Sequence, residues 1–358
     1  MVDRVKPGKS AQRGCAPRGG APLGEFDIIA RYFAPLATTA AALDLRDDAS
    51  ILPVPSGQEL VITCDAMVEG IHFLPDDPPA SIGHKALAIN LSDLAAKGAE
   101  PYAYLLSLAL RYASPAWLEG FARGLGAMQA CAGIVLIGGD TTATPGPITL
   151  SLTALGLVPQ GKAVLRSGAR AGDRIYVSGS IGGAHLGLRL RKDPTLAEAW
   201  ALTPEEEAVL LERYQRPEPR SRLAPLLRQD AHAAIDVSDG LVGDLEKLCA
   251  ASNVGAVIEA DCVPLCSGAH KALACEPALF QDLIAAGDDY EIIAAVPQAR
   301  AAAFETAALE RQVSVTAIGK FVAGSPDVLV ADSEGRPLAL PAKGFDHFRP
   351  SPLGRPSP

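Results

Sequence analysis

Apolar runs of two kinds alternate along this chain, and that alternation limits its fold more than any other feature. Strand-like runs, "QELVITCDAMV" (58–68), "YAYLLSLALRY" (102–112), "GIVLIGGDTT" (133–142) and "PITLSLTALGLVP" (147–159), are separated by stretches of helical character. Helices are expected over 24–37, around 82–96 and over 115–131, the last with Ser114 as N-cap and Pro115 at the first helical position. A second series follows: "RIYVSGSIGGAHLGLRL" as strand, turn and helix, charged helical stretches over 203–230, then "AAIDVSDGLVGDLEKLCAAS" as strand, turn and helix. "YEIIAAV" as a strand, a helix over 298–311 and "VSVTAIGKF" as a strand complete it. The pattern predicts an α/β (α+β) fold.

The chain has 358 residues, enough for two domains each with its own core. Turn residues and charges replace apolar runs at "PQGKAVLRSGARAGD" (159–173), so the division is expected between 24–160 and 161–348. Residues 1–23, basic and rich in Gly and Pro, read as a disordered extension, and 349–358 as a flexible tail. A net charge of −9 argues against a nucleic-acid binder. No run approaches the ~20 apolar residues that span a bilayer, and no secretory signal opens the chain. Seven scattered cysteines without a C-x-x-C pair suit a reduced, cytoplasmic protein.

Within this frame, carboxylates stand where apolar residues belong. "KALAINLSDLAAKGAEP" (85–101) carries a buried stripe of Ile82, Ala86, Ile89, Asp93 and Ala96, so Asp93 sits on the apolar side of a helix. Asp65 ends "LVITCD", Asp140 ends "IVLIGGD", and Asp236 with Asp239 lies in "AIDVSDGL"; Asp47, Asp48, Asp288 and Asp289 flank other apolar runs. A single Asp at a strand end is more often a cap or turn former, and Asp239 could cap the helix after it, but Asp93, mid-helix on the apolar stripe, is neither. As a set they point to hard cations, above all Mg²⁺, because no His or Cys cluster accompanies them. Ser238 and Asp239 open a helix whose amides could face phosphate. "GLVPQGKA" (156–163) is no P-loop: Ala163 replaces the metal-binding hydroxyl and no helix follows. His72 stays open between a catalytic role, a ligand contact and a packed core histidine, and no hydrolytic triad is evident.

The stretches "GEFDIIARYF", "DDASIL", "ITCDAMVEGIHFLP", "KALAINLSDLAAKGAEP", "LIGGDTT", "LRSGARAGDRIYVSG", "AIDVSDGL", "GDDYE" and "KGFDHF" resemble, in order and spacing, the thiamine-monophosphate kinase family. The resemblance runs from about residue 24 to 348. It implies a two-domain synthetase-superfamily fold whose N-terminal domain, with a mixed sheet, forms a barrel across a homodimer. It implies transfer of the ATP γ-phosphoryl group onto thiamine monophosphate, with several Mg²⁺ ions. By matching motif it places metal ligands at Asp48, Thr63, Cys64, Asp65, Asp93, Asp140, Asp236 and Asp239. ATP contacts fall on Gly139, Asp140, Arg166 and Ser238, and substrate contacts on His72, Asp288 and Phe345. This chain has Arg46 where the family has glycine, Cys64 where it has a hydroxyl, and Asp288 where it has glutamate.

The nearest rivals are weaker. A selenophosphate synthetase would carry a reactive Cys beside a Lys in an N-terminal Gly-rich loop, and a non-catalytic nucleotide-binding relative would lack metal carboxylates. Asp93→Asn is expected to remove most turnover while leaving the circular-dichroism spectrum unchanged. Near-parental activity in that variant would refute the metal reading of this helix.

Overall fold

The computed structural model describes residues 23–340 and 343–345. The expected extension, apart from Leu23, and the expected tail lie outside them. The first half runs α1 (Glu25–Ile28), β1 (Gln58–Val68), α2 (Pro79–Ala96), β2 (Glu100–Leu110), α3 (Pro115–Ala132), β3 (Val135–Ala143) and β4 (Thr149–Pro159). The second runs β5 (Arg174–Ser178), α4 (Gly183–Lys192), α5 (Leu196–Ala199), α6 (Pro204–Gln215), α7 (Ala224–Asp230), β6 (Ala233–Asp236) and α8 (Leu241–Ser252). It continues with β7 (Gly255–Glu259), α9 (Ser267–Cys275), α10 (Leu279–Ala285), β8 (Ile292–Val296), α11 (Ala301–Glu310), β9 (Val315–Val322) and β10 (Val328–Ala331).

Both sheets are mixed. In the first, of order β1-β4-β2-β3, only the β2/β3 pair is parallel; in the second, β10-β7-β9-β5-β8-β6, only β10/β7 is. The first sheet is open at β1 and β3 among the described residues, so no barrel closes within one chain.

The α2 helix holds the two halves together. Ile82, Leu87, Leu91 and Leu94 pack with Met67, Tyr104 and Leu152 of the first sheet. Ala95 and Ala96 join a different core with Tyr176, Leu223 and Ile292 of the second half. The helix is therefore buried on nearly every side, which a stripe of apolar residues alone does not anticipate. Polar ties cross the same seam: Val164 N donates to Lys97 O at 3.0 Å, and Lys97 Nζ to Ala234 O at 2.8 Å.

The single helix expected over 24–37 is instead an α turn to Ile28, a π turn over Ile29–Phe33 and a 3₁₀ turn over Ala34–Leu36. Pro35 has no amide to continue a regular helix. The α3 helix starts as expected, Ser114 Oγ accepting from Trp117 N at 3.4 Å.

Close approach of α2 and α3 rests on glycines. A Cβ at Gly124 would lie 1.8 Å from Ala80 O, and one at Gly83 2.1 Å from Phe121 O. Gly→Ala within a helix ordinarily stabilises by about 1 kcal/mol. Here the opposing atom is backbone, so Gly124→Ala is expected to destabilise by about 1–3 kcal/mol in denaturant titrations. A neutral or stabilised variant would show that the two helices can part without loss.

Candidate active site

Three elements bring carboxylates together under the first sheet. Strand alternation turns Thr63 and Asp65 to the face that meets α2, and Thr63 Oγ1 donates to Asp93 Oδ2. The same alternation turns the Cys64 thiol outward, where it lies 3.5 Å from Ser151 Oγ. Asp236, at the end of β6, is buried and accepts from Ser92 Oγ of α2 at 2.9 Å. Among the described residues no lysine or arginine forms an ion pair with Asp65, Asp93 or Asp236.

Crowding of like charge shows in the proton affinities. Burial, then the Asp93 charge and a hydrogen bond to Asp93, push Asp65 up to about 6, with Asp239 adding to the repulsion. Burial above all, then Asp93 and Asp244, raise Asp236 well above the ordinary carboxylate range, against a small lowering by the Ser92 hydroxyl. Such a set, carboxylates and one hydroxyl with no imidazole or thiolate, suits a hard divalent cation. No three His, Cys, Asp or Glu side chains among the described residues close around a single point by themselves.

Two loops interlock beside this group. Asp288 N donates to Ser238 O at 2.9 Å and Tyr290 N to Val237 O at 2.8 Å. A Cβ at Gly287 would stand 2.0 Å from Ser238 O. Asp288 (φ +78°) and Tyr290 (φ +51°) both occupy left-handed backbone, a strain held in place by these contacts. Phe345 N donates to Asp239 O at 2.8 Å, so all three loops meet at the Ser238–Asp239 turn.

The amides of that turn are already used. Asp244 Oδ2 accepts from Ser238 N, Asp239 N and Gly240 N at 2.9, 2.8 and 3.2 Å. The amides of Ser238, Asp239 and Gly240 are thus closed by Asp244, while the helix expected to present its N-terminal amides to phosphate begins only at Leu241. Asp239 is not the cap of α8 either: Gly240 holds that position, and the Asp239 carboxylate pairs with Lys247 at 2.5 Å. Asp244 escaped notice in the sequence because it lies within a regular helical pattern; its place in the first turn after "SDG" is the available signal.

His72 sits in the loop after β1. Its Nδ1 accepts from Val68 N at 3.0 Å, which puts the ring proton on Nε2 in the neutral form. Its carbonyl and the Asp288 carboxylate both accept from Lys85 Nζ, a residue not singled out in the sequence.

Other residues fall further off. In register, Asp65 faces Leu152, Leu152 faces Leu106, and Leu106 faces Gly139. Three strand spacings, about 14 Å, thus separate Asp65 from the Gly139–Asp140 edge. Gly139 is obligatory there, since a Cβ would lie 1.8 Å from Leu106 O. Asp48 is exposed and follows Leu43, Asp44 and Leu45, all with positive φ. Arg166 is exposed, with its carbonyl fixed by Ser252 Oγ at 3.0 Å. Beside it Lys97, another residue passed over in the sequence, is lowered to about 8 by burial first and by the Arg166 charge second, while Asp236 and Asp93 oppose the fall.

Residues 46–158 match the N-terminal domain of the AIR synthase related protein family, and residues 170–332 its C-terminal domain. A Caulobacter vibrioides protein named thiamine-monophosphate kinase is 44% identical over 94% of each chain. The crystal structure of thiamine-monophosphate kinase from Stenotrophomonas maltophilia is 38% identical, with a TM-score of 0.72, covering 82% of this chain and 91% of that one. A second structure, AaThiL complexed with AMPPCP and TMP, is 28% identical with a TM-score of 0.70, covering 83% of this chain and 89% of that one.

The Asp65 carboxyl provides a test of the crowding. Its proton affinity is 3.8 in the ordinary state and about 6 in the fold, so the native protein binds that proton more tightly. Stability contributed by this group is therefore lost as pH rises from about 4 to about 6, by at most about 3 kcal/mol. Without divalent ions at pH 7, Asp65→Asn should melt above the parent, and the two should converge near pH 4. A variant that melts below the parent throughout would refute the account.

Proposed function

The chain belongs to the AIR synthase related family and, within it, to the thiamine-monophosphate kinases, and we propose how its own residues carry that reaction. The enzyme phosphorylates thiamine monophosphate with ATP, giving thiamine diphosphate and ADP. The observation that carries the mechanism is the gathering of Asp65, Asp93 and Asp236 from three elements, with no cationic side chain paired to any of them.

An oxygen of the acceptor phosphate attacks the γ-phosphorus of ATP. The bond from that phosphorus to the bridging oxygen breaks, and its electron pair leaves with ADP. The acceptor, with a second pKa of about 6, is already anionic at neutral pH and needs no general base. The obstacle is repulsion: one pair of like charges at ~4 Å costs about 4 kcal/mol at an effective dielectric of 20. Asp65, Asp93 and Asp236 would hold Mg²⁺, which when bound would supply charge neutralisation between the two polyanions and a template for in-line transfer.

Asp65, Asp93, Asp236 and Asp239, with the Thr63 hydroxyl, form the main cation-holding group. Cys64 contributes at most its backbone carbonyl, because its thiol faces away. Asp48 and the Gly139–Asp140 edge, about 14 Å across the sheet from Asp65, serve the distal part of the nucleotide and its ions. Arg166 clamps phosphate oxygens, backed by Lys97, and Ser238 adds its hydroxyl to the nucleotide contacts. His72, Asp288 and Phe345 hold thiamine monophosphate, the Phe345 ring (45% exposed) by stacking.

The same reading extends to assembly and place. Residues 24–160 form the nucleotide-binding and dimerisation domain and 161–348 the second α/β domain. The outer face of β1 leaves Ile62 at 61% exposure, which supports pairing of two first sheets into a shared barrel in a homodimer. No described helix is long and apolar enough to cross a membrane, and the described cysteines are all free; both accord with a cytoplasmic enzyme.

Incubation with ATP, Mg²⁺ and thiamine monophosphate is expected to yield thiamine diphosphate, with product formation abolished by chelation. ATP binding without product, or full activity without divalent ions, would overturn the proposal.

A further inference from the structure

Lys85 is buried in the middle of α2, 3% exposed. A lysine so placed is costly unless its ammonium is paired and its three protons find acceptors. Its Nζ donates to His72 O at 3.1 Å and to Asp288 Oδ2, and it lies 4.5 Å from the centre of the Tyr214 ring. These partners come from the loop after β1, the loop before β8 and α6.

Each partner is itself fixed from behind. Tyr214 donates its hydroxyl to Asp77 Oδ2 at 2.9 Å, and Arg191 Nε donates to Asp77 Oδ1 at 3.0 Å. Asp77 Oδ2 also accepts from Leu74 N at 2.8 Å, closing the loop that carries His72. Asp288 is held by its amide on Ser238 O, yet its side chain stays 29% exposed and keeps a surface toward the site.

We propose that Lys85 is a positioning residue for the acceptor substrate. By tying the His72 carbonyl and the Asp288 carboxylate to one rigid helix, it sets the spacing between two groups that hold thiamine monophosphate. The inference rests on the proposed substrate role of His72 and Asp288. A purely structural ion pair across the seam would affect folding, or both substrates alike. A positioning residue affects one substrate.

Steady-state kinetics on the full-length enzyme separate the two. Lys85→Gln is expected to raise KM for thiamine monophosphate tenfold or more while KM for ATP stays within about twofold. An unchanged KM for thiamine monophosphate, or equal rises for both substrates with a lowered melting temperature, overturns the proposal. Asp288→Asn is measured in parallel: if it leaves KM for thiamine monophosphate unchanged, the substrate reading of Asp288 is what fails. Should Lys85→Gln not fold, Lys85→Gln/Asp288→Asn leaves no unpaired buried charge. That pair is expected to have a KM for thiamine monophosphate at least threefold above Asp288→Asn alone, because the tie to His72 is lost as well. Equality with Asp288→Asn overturns the proposal.

Discussion

Burial of α2 between the two halves is the constraint on which the rest depends. A helix covered on one side by Met67, Tyr104 and Leu152 and on the other by Tyr176, Leu223 and Ile292 has almost no water-facing surface. Most of its polar side chains find partners on neighbouring elements, Asn90 being an exception that bonds back to Ala86 O and leaves its Oδ1 unsatisfied. Ser92 reaches Asp236, Asp93 takes the Thr63 hydroxyl, Lys85 takes Asp288, and Lys97 reaches Ala234 O. Every one of these ties leaves the helix for another segment. The functional groups are gathered because the helix that carries them cannot turn them outward.

This arrangement sets stability against function. Asp65 and Asp236 hold protons beyond the usual carboxylate range because burial and neighbouring charge disfavour ionisation. An apolar pair at those positions would fold with less strain and could hold no cation. By contrast, several other buried carboxylates meet cations within the chain. Glu291 lies between Arg213 and Arg220, at 2.6 Å from each, and Asp77 pairs with Arg191 at 3.0 Å. Among the described residues, ion pairing of this kind is missing at Asp65, Asp93 and Asp236, although burial raises Asp289 as well, to about 7, so a raised acid alone does not mark the site.

The sequence made much of this legible, and its failures have physical causes. The β1, β3 and β4 runs are long and their apolar pattern is clear; each forms within two residues of its expected bounds. The strands β7 and β10 escaped because four or five continuous apolar residues carry no period. Asp93 stood out as a charge on an apolar stripe. Lys85 did not, because a lysine at the margin of such a stripe reads as a solvated surface residue; only the second half, packed against it, makes it buried. The closure of the Ser238–Asp239 amides was hidden for a more local reason. Their acceptor, Asp244, lies on the next turn, and no linear pattern distinguishes a helix start open to a ligand from one closed by its own side chain.

That closure bears on how the nucleotide would be held. Phosphate sites commonly exploit free amides at a helix start, but here one carboxylate oxygen takes three of them and Lys247 neutralises its partner oxygen. The turn is thus rigid before any ligand arrives, and its rigidity passes to Asp239, to Asp288 through Ser238 O and to Phe345 through Asp239 O. In the proposed mechanism electrostatic recognition then falls chiefly to side chains and the cations they would hold. In the proposed mechanism, divalent ions would remove the repulsion between two polyanions at this site. Free carboxylates alone would repel both, and of the cations close by, Lys247 is already paired with Asp239 and Asp244 while Lys97, beside Arg166, donates to Ala234 O.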